Sequence, residues 1–223
     1  MPLQSQRRLA GLLAGAAMIS FSLVTALTLP TVAETSVATS SVATTLSAPS
    51  TMSADEVLAQ ITDADGTIRF DIAEDGKRFV WDKPVFDDGL PAHGATYISQ
   101  GYMYPEGTLS AEVDGVNADG SAEFPDKVLG QWSCYGWYIG DAAHATEGPW
   151  VLSTQLYQFG SEWGAVTLVS EGYVIANTGG TVERAITGGT GPFANVRGQL
   201  ADTNLGFNET EGGNARYEVT LVS

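Results

Sequence analysis

The stretch Ala185 to Gly198, AITGGTGPFANVRG, constrains this chain more than any other. Extended, β-leaning residues run into Gly188, Gly189, Thr190 and Gly191 and resume after Phe193. Glycine tolerates positive φ, so the glycines permit a tight reversal that other residues would resist. Pro192 fixes φ at the exit and cannot donate to a strand ladder. A corner between two antiparallel strands follows. Two phosphate-binding readings meet the same glycines and fail. Gly189-x-Gly191-x-x-Ala194 has dinucleotide-fingerprint spacing, but that motif must open a helix within a βαβ unit. Here Pro192 and the β-leaning FANVRGQL follow. A P-loop would need Lys and Ser or Thr after the glycines, and neither pair is present.

The rest of the chain repeats the strand-and-turn pattern. Thr67 to Ala73 alternates, with Ile68, Phe70 and Ile72 on one face and charge on the other, which predicts a half-buried strand. Glu74 to Lys77 reads as a hairpin turn, with Arg78 to Trp81 returning. Further strands are expected over Ala95–Tyr104, Leu129–Gly140, Pro149–Phe159, Ala165–Ile175, Val182–Thr187, Phe193–Leu200 and Ala215–Val222, with weaker ones at Gly107–Val113 and Gly206–Asn208. Ser53-Ala54-Asp55-Glu56 is a capping box, and Val57, Leu58 and Ile61 give the following residues an apolar face. One helix over about 54–62, lying against one barrel end, is predicted. Evenly spaced strands with almost no helix indicate an all-β fold, a closed eight-stranded antiparallel barrel. Its last strand would close against its first. Eight strands leave an interior filled by side chains or holding one small ligand.

GGTGPFANVRG resembles the GGTGxFxxxRG signature of the allene oxide cyclase and dirigent-like barrels, including their bacterial relatives. GQWSCYGWYIG and LVSEGY are also of that type, and the resemblance covers roughly residues 65 to 223. It implies the same barrel, with the signature joining two late strands. It further implies a barrel that binds an apolar, reactive molecule and steers its cyclisation or coupling. Plant allene oxide cyclases fold a fatty-acid epoxide; dirigent proteins orient phenoxy radicals or quinone methides; bacterial relatives include polyketide cyclases. An isomerase-type or dirigent-type activity is the enzymatic expectation. The alternative is a non-enzymatic carrier, or a structural or cell-wall-associated barrel.

Such chemistry rests on conformational restraint and a few polar groups. A carboxylate in a low-dielectric pocket can stabilise a developing cation or move a proton. Glu171, between Val169 and Tyr173 on one strand face, is the candidate carboxylate; the other reading has it pointing to water. Arg197, the residue matched to the signature, would hold an oxyanion or a substrate carboxylate, or else pin the glycine turn. Tyr135, Trp137, Gln155 and Tyr157 are the candidate substrate-binding residues. No cofactor and no metal are expected. Gly115 to Asp126 matches a calcium loop only in part, lacking its first acid and its final Glu, and reads as an acidic hairpin loop. His93 and His144, the only histidines, lack ligand spacing.

Arg7 and Arg8 precede an apolar run from Leu9 to Leu29, and Pro30 to Ala33 offers a small-residue cleavage site. This is the pattern of a secretory signal over residues 1–33. An uncleaved single-span anchor is the alternative. Residues 34–53, rich in Ser and Thr, read as a disordered tether, and 54–223 as the barrel domain. The expected location is secreted, cell-surface or periplasmic. The net charge of −16 argues against nucleic acid and anionic membrane surfaces. The expected partner is a small apolar molecule, with no membrane insertion after signal cleavage and with self-association through an outer face open. The single cysteine, Cys134, excludes an internal disulfide and reads as a small buried hydrophobe, or else a reactive thiol or an intermolecular bridge. Asn208-Glu209-Thr210 is a glycosylation sequon by pattern alone.

Overall fold

The structure, a computed structural model, describes residues 50–222. The expected signal segment and most of the tether lie outside the described residues. Helix α1 spans Ala54–Ile61. Nine strands follow: β1 Ile68–Glu74, β2 Val80–Trp81, β3 Thr96–Pro105, β4 Gly130–Tyr138, β5 Pro149–Phe159, β6 Thr167–Ile175, β7 Thr181–Gly189, β8 Arg197–Phe207 and β9 Gly213–Val222. Hydrogen-bonded neighbours run β1-β9-β8-β7-β6-β5-β4-β3, and β3 pairs back onto β1. The sheet is therefore the expected closed eight-stranded antiparallel barrel. β9 closes on β1 with Ile68 opposite Val219, and β3 closes on β1 with Phe70 opposite Pro105.

The capping box forms as read. Ser53 Oγ accepts from the Glu56 amide at 3.3 Å and Glu56 Oε2 accepts from the Ser53 amide at 2.9 Å. Val57 and Ile61 enter the barrel core. Contacts with the barrel begin before the helix: Ser50 is buried, Met52 packs on the core, and the Ser161 amide donates to the Met52 carbonyl. The last residues of the expected tether thus belong to the domain.

The expected hairpin at Glu74–Lys77 is corrected. β1 and β2 lie along the same edge of β3, with Glu74 opposite Gly101 and Val80 opposite Ile98. Asp75 caps one turn of 3-10 helix, Gly76–Arg78, and the chain continues in its original direction. The β8–β9 loop fixes this geometry. Thr210 Oγ1 accepts from the Gly76 amide at 2.8 Å, and Asn208 Nδ2 donates to the Glu74 carbonyl at 2.8 Å. The Asn208 amide also donates to Asn214 Oδ1, so the sequon's asparagine is a buried clamp.

The charged face of β1 is also not solvated. The segment between β3 and β4 folds over it and builds a second small core of Ala73, Tyr104, Leu109, Val116 and Val128. Asp71 is buried beneath this cover. Its carboxylate accepts from the Leu109 amide at 2.9 Å and from Arg216 Nε at 2.8 Å. A buried charge needs such partners.

The two ends of the barrel differ. At one end Ile68, Met103, Leu129, Phe159, Leu168, Ile186, Phe193 and Val219 fill the interior, closed by Val57 and Ile61 of α1. The opposite end, formed by the C-terminal halves of β1, β4, β6 and β8 and the N-terminal halves of β3, β5 and β9, holds a cavity.

Candidate functional site

Strand alternation determines what can enter the barrel. On β5 the inward residues are Val151, Ser153, Gln155, Tyr157 and Phe159. On β4 they are Trp132, Cys134, Gly136 and Tyr138. On β6, β7 and β8 they include Ser170, Arg184 and Asp202. Polar groups thus form a belt at mid-barrel, between the apolar plug and the mouth.

Gln155 Oε1 is the belt's acceptor. It receives Trp132 Nε1 at 3.1 Å, Tyr157 Oη at 2.6 Å and Tyr217 Oη at 2.8 Å. Arg184, only 1% exposed, is spent on fixed partners. Its Nε donates to Ser170 Oγ at 3.1 Å, one terminal nitrogen to the Tyr173 carbonyl at 2.9 Å, and the other to the Ser153 carbonyl at 3.0 Å. Gly172 makes room for it: a Cβ there would lie 3.2 Å from the Arg184 Cα and 3.3 Å from its Cγ.

Asp202, 2% exposed, is the odd member. It is the belt's one carboxyl, and its Oδ2 is buried without a hydrogen-bond partner, as are Ser153 Oγ on β5 and Trp150 Nε1 at the mouth. Desolvation pushes the Asp202 carboxyl up to about 7, although the nearby Arg184 charge and the adjacent Gln155 and Tyr217 side chains pull the other way. Glu74, at the mouth end of β1, is raised for the same first reason. Its Oε2 accepts from the Gly213 amide at 2.6 Å. The Cys134 thiol is buried, lies 3.2 Å from Tyr97 Oη, and is pushed up to about 12 by desolvation, so it is a protonated and unreactive thiol at neutral pH.

Both carboxyls line a cavity of about 80 Å³, together with Cys134, Gln155 and Tyr217. Aromatic rings surround its mouth. Phe79 stacks on Tyr97 at 5.3 Å, Tyr97 meets Tyr138 at 5.4 Å, Tyr138 meets Trp150 edge-on at 6.0 Å, and Trp150 meets Phe207 edge-on at 6.0 Å. A cavity of this volume has room for a small group and no more.

The chain is similar to several solved structures. Pyocyanin demethylase matches at 16% identity and a TM-score of 0.44, over 70% of this chain and 99% of that one. Two pterocarpan synthase dirigent proteins match at 16% identity over 70% of this chain, with TM-scores of 0.49 and 0.48 and 82% and 92% of their own lengths covered. No protein-family model matches the sequence, and no curated protein matches it.

The residues singled out from the sequence are divided by the structure. Gln155 lines the cavity, and Tyr157 lies buried beside it. Tyr135 and Trp137 do not line it: they point outward, 44% and 50% exposed. Glu171 also points outward, on the same row as Tyr135 and Thr154. The placement of these three inside the barrel is corrected. The reason is register. Both faces of β4 carry aromatics, and on β6 it is the small residues Ser170 and Gly172 that face in, to accommodate Arg184. Arg197 is exposed at the closed end, where one terminal nitrogen donates to the Thr187 and Val196 carbonyls, both at 2.8 Å. It pins the glycine corner and is remote from the cavity.

Sequence reasoning missed Glu74, Arg184 and Asp202. One signal was available for each: a charge in phase with apolar neighbours. Glu74 follows Ile68, Phe70 and Ile72; Arg184 lies between Val182 and Ile186; Asp202 follows Leu200.

Proposed function

We propose that this barrel binds a small, largely apolar molecule at its open end and uses Asp202 to move or stabilise a proton during an isomerisation, cyclisation or coupling. The observation that carries this reading is the unpartnered Oδ2 of Asp202 inside the cavity. Leaving a buried carboxyl oxygen without a partner costs about 1–3 kcal/mol or more, so the fold gives up stability to keep it. A carboxyl near neutrality in an apolar pocket can both donate and accept a proton. Gln155 and Tyr217 would orient the bound group, and the aromatic mouth would hold its body.

The test uses the full chain purified from its native host, with Asp202→Leu alongside. Native mass spectrometry, followed by analysis of released molecules, is expected to find an aromatic or apolar compound on the wild type and less on the variant. A wild type that carries nothing, and takes up no aromatic compound in solution, would overturn this reading.

A second reading has its own support. The cavity falls below the ~300 Å³ of an ordinary ligand pocket, which favours a carrier or structural barrel whose interior mainly stabilises it. In either case self-association would use the outer face. There Val80, Ile98, Tyr135, Trp137, Leu152 and Tyr173 are exposed in register across β2 to β6, and contiguous apolar surface of this kind marks interaction sites. Export to the cell exterior belongs to the same proposal, supported by the Arg7–Ala33 sequence pattern.

A further inference from the structure

We infer that the molecule taken by this cavity is an organic cation, whose positive head sits inside the aromatic mouth and faces Glu74 and Asp202. This rests on the cavity being a ligand site, as proposed above, and adds the ligand's charge.

Three observations converge. First, the cavity lining holds two carboxyls and no Lys, Arg or His among the described residues. Arg184, the buried cation nearest to it, has its three nitrogens bound to Ser170, Tyr173 and Ser153 and does not reach the lining. An anionic ligand would therefore meet two like charges and no cationic side chain, the unpartnered Trp150 Nε1 being the one neutral donor left free among the described lining atoms. Second, Asp202 Oδ2 is buried in the cavity wall and has no hydrogen-bond partner. A cationic head within reach of it would supply the missing charge without needing a hydrogen-bond donor. Third, the rings of Phe79, Tyr97, Tyr138, Trp150 and Phe207 form a continuous edge-and-face arrangement around the opening. Aromatic faces attract cations, and cages of such rings recognise alkylated ammonium groups. The volume of about 80 Å³ suits a head group the size of trimethylammonium, with the remainder of the ligand outside.

The titratable and charged groups facing Asp202 are Arg184 from β7, Tyr157 from β5 and Tyr217 from β9, and the thiol of Cys134 from β4 and the carboxyl of Glu74 from β1 line the same cavity. The two tyrosines and the thiol stay neutral at ordinary pH, being raised by burial. Ionisation of Asp202 near neutrality then adds one negative charge opposite the bound head. Cation affinity rises as pH rises through that range, while the affinity of a neutral ligand does not.

The test compares phenyltrimethylammonium with tert-butylbenzene, which share a shape and differ in charge. Both are titrated into the full chain while the emission of Trp132 and Trp150 is followed, with competition by calorimetry. The cation is expected to bind about tenfold more tightly at pH 8. Glu74→Gln and Asp202→Asn should each narrow that ratio several-fold. Glu171→Gln, an acid on the outer face, should leave it unchanged and so separates the site from the protein's general acidity. Circular dichroism confirms that each variant is folded. A neutral compound binding as tightly as the cation would overturn the charge assignment and leave the ligand site standing. A ratio equally sensitive to Glu171→Gln would also overturn it. Binding of neither compound would overturn both readings.

Discussion

The two ends of this barrel are built from the same strands and obey opposite rules. At the closed end every inward residue is apolar, the rings of Phe159 and Phe193 meet at 5.8 Å, and α1 covers the opening. The signature corner lies here. A Cβ on Gly189 would fall 2.0 Å from the Thr167 carbonyl oxygen, so the close approach needs glycine, and Arg197 ties the exit of the corner to its entrance. At the open end the inward residues include Glu74, Asp202 and Asn204, and a cavity remains. The most recognisable part of the sequence thus maintains the fold, while the cavity proposed as the site lies at the other end and carries no motif. On the proposed reading, the apolar plug and the site are separated along the barrel axis.

That separation can be tested by mutation. Phe193→Ala, in the closed end, should have the largest effect, a loss of about 3–5 kcal/mol by chemical denaturation. Ligand binding per folded molecule should remain. Loss of binding in the folded fraction would show that the two ends are coupled.

Asp202 should impose a pH dependence on stability from the open end. Its folded value lies above its unfolded value of 3.8. The protein is therefore most stable, with respect to this group, below about pH 4, and loses that stability as pH rises through about 7. The loss is on the order of 2–4 kcal/mol, and Glu74, raised in the same direction, adds to it. Urea midpoints measured across this range should fall steeply for the wild type and more gently for Asp202→Asn. Parallel curves would refute the assignment.

Gly172→Ala tests the middle of the barrel. The added methyl meets Arg184 and should cost about 1–3 kcal/mol. By displacing Arg184 it should also shift the pH dependence of Asp202, which the same urea series would register. The smallest effect is expected on the outer wall. Glu171→Gln should change stability by less than about 0.5 kcal/mol and leave ligand binding unchanged. A large effect on binding would return Glu171 to the site.

Much of the fold was legible because its signals are local. The Ser53–Glu56 capping box, the alternation of Ile68, Phe70 and Ile72, and the corner at Gly188–Gly191 each depend on residues a few positions apart. The site was legible only in part. Gln155 and Tyr157 share a phase with Val151 and Phe159, and the structure places both inside. Glu171 is a candidate through its place between Val169 and Tyr173 on one strand face, and Tyr135 and Trp137 as an aromatic wall, but these faces point outward. On those strands the interior instead takes Ser170 with Gly172, and Cys134 with Gly136. A one-residue change of phase reverses every side chain of a strand, and nothing local on β4 or β6 decides the phase.

By itself the sequence determined that this chain makes a short capped helix and an antiparallel succession of strands turning at glycine-rich corners. Propensity, alternation and turn chemistry act over a few residues and are written in order along the chain. Only the tertiary structure decided that Arg184 and Asp202 share a buried belt with Gln155, that Asp71 is covered, and that Glu74 continues past a turn instead of entering a hairpin. These outcomes depend on how the barrel closes and on which strand lies beside which. Closure sets the register of all eight strands at once, so the environment of each inward side chain is a property of the whole sheet.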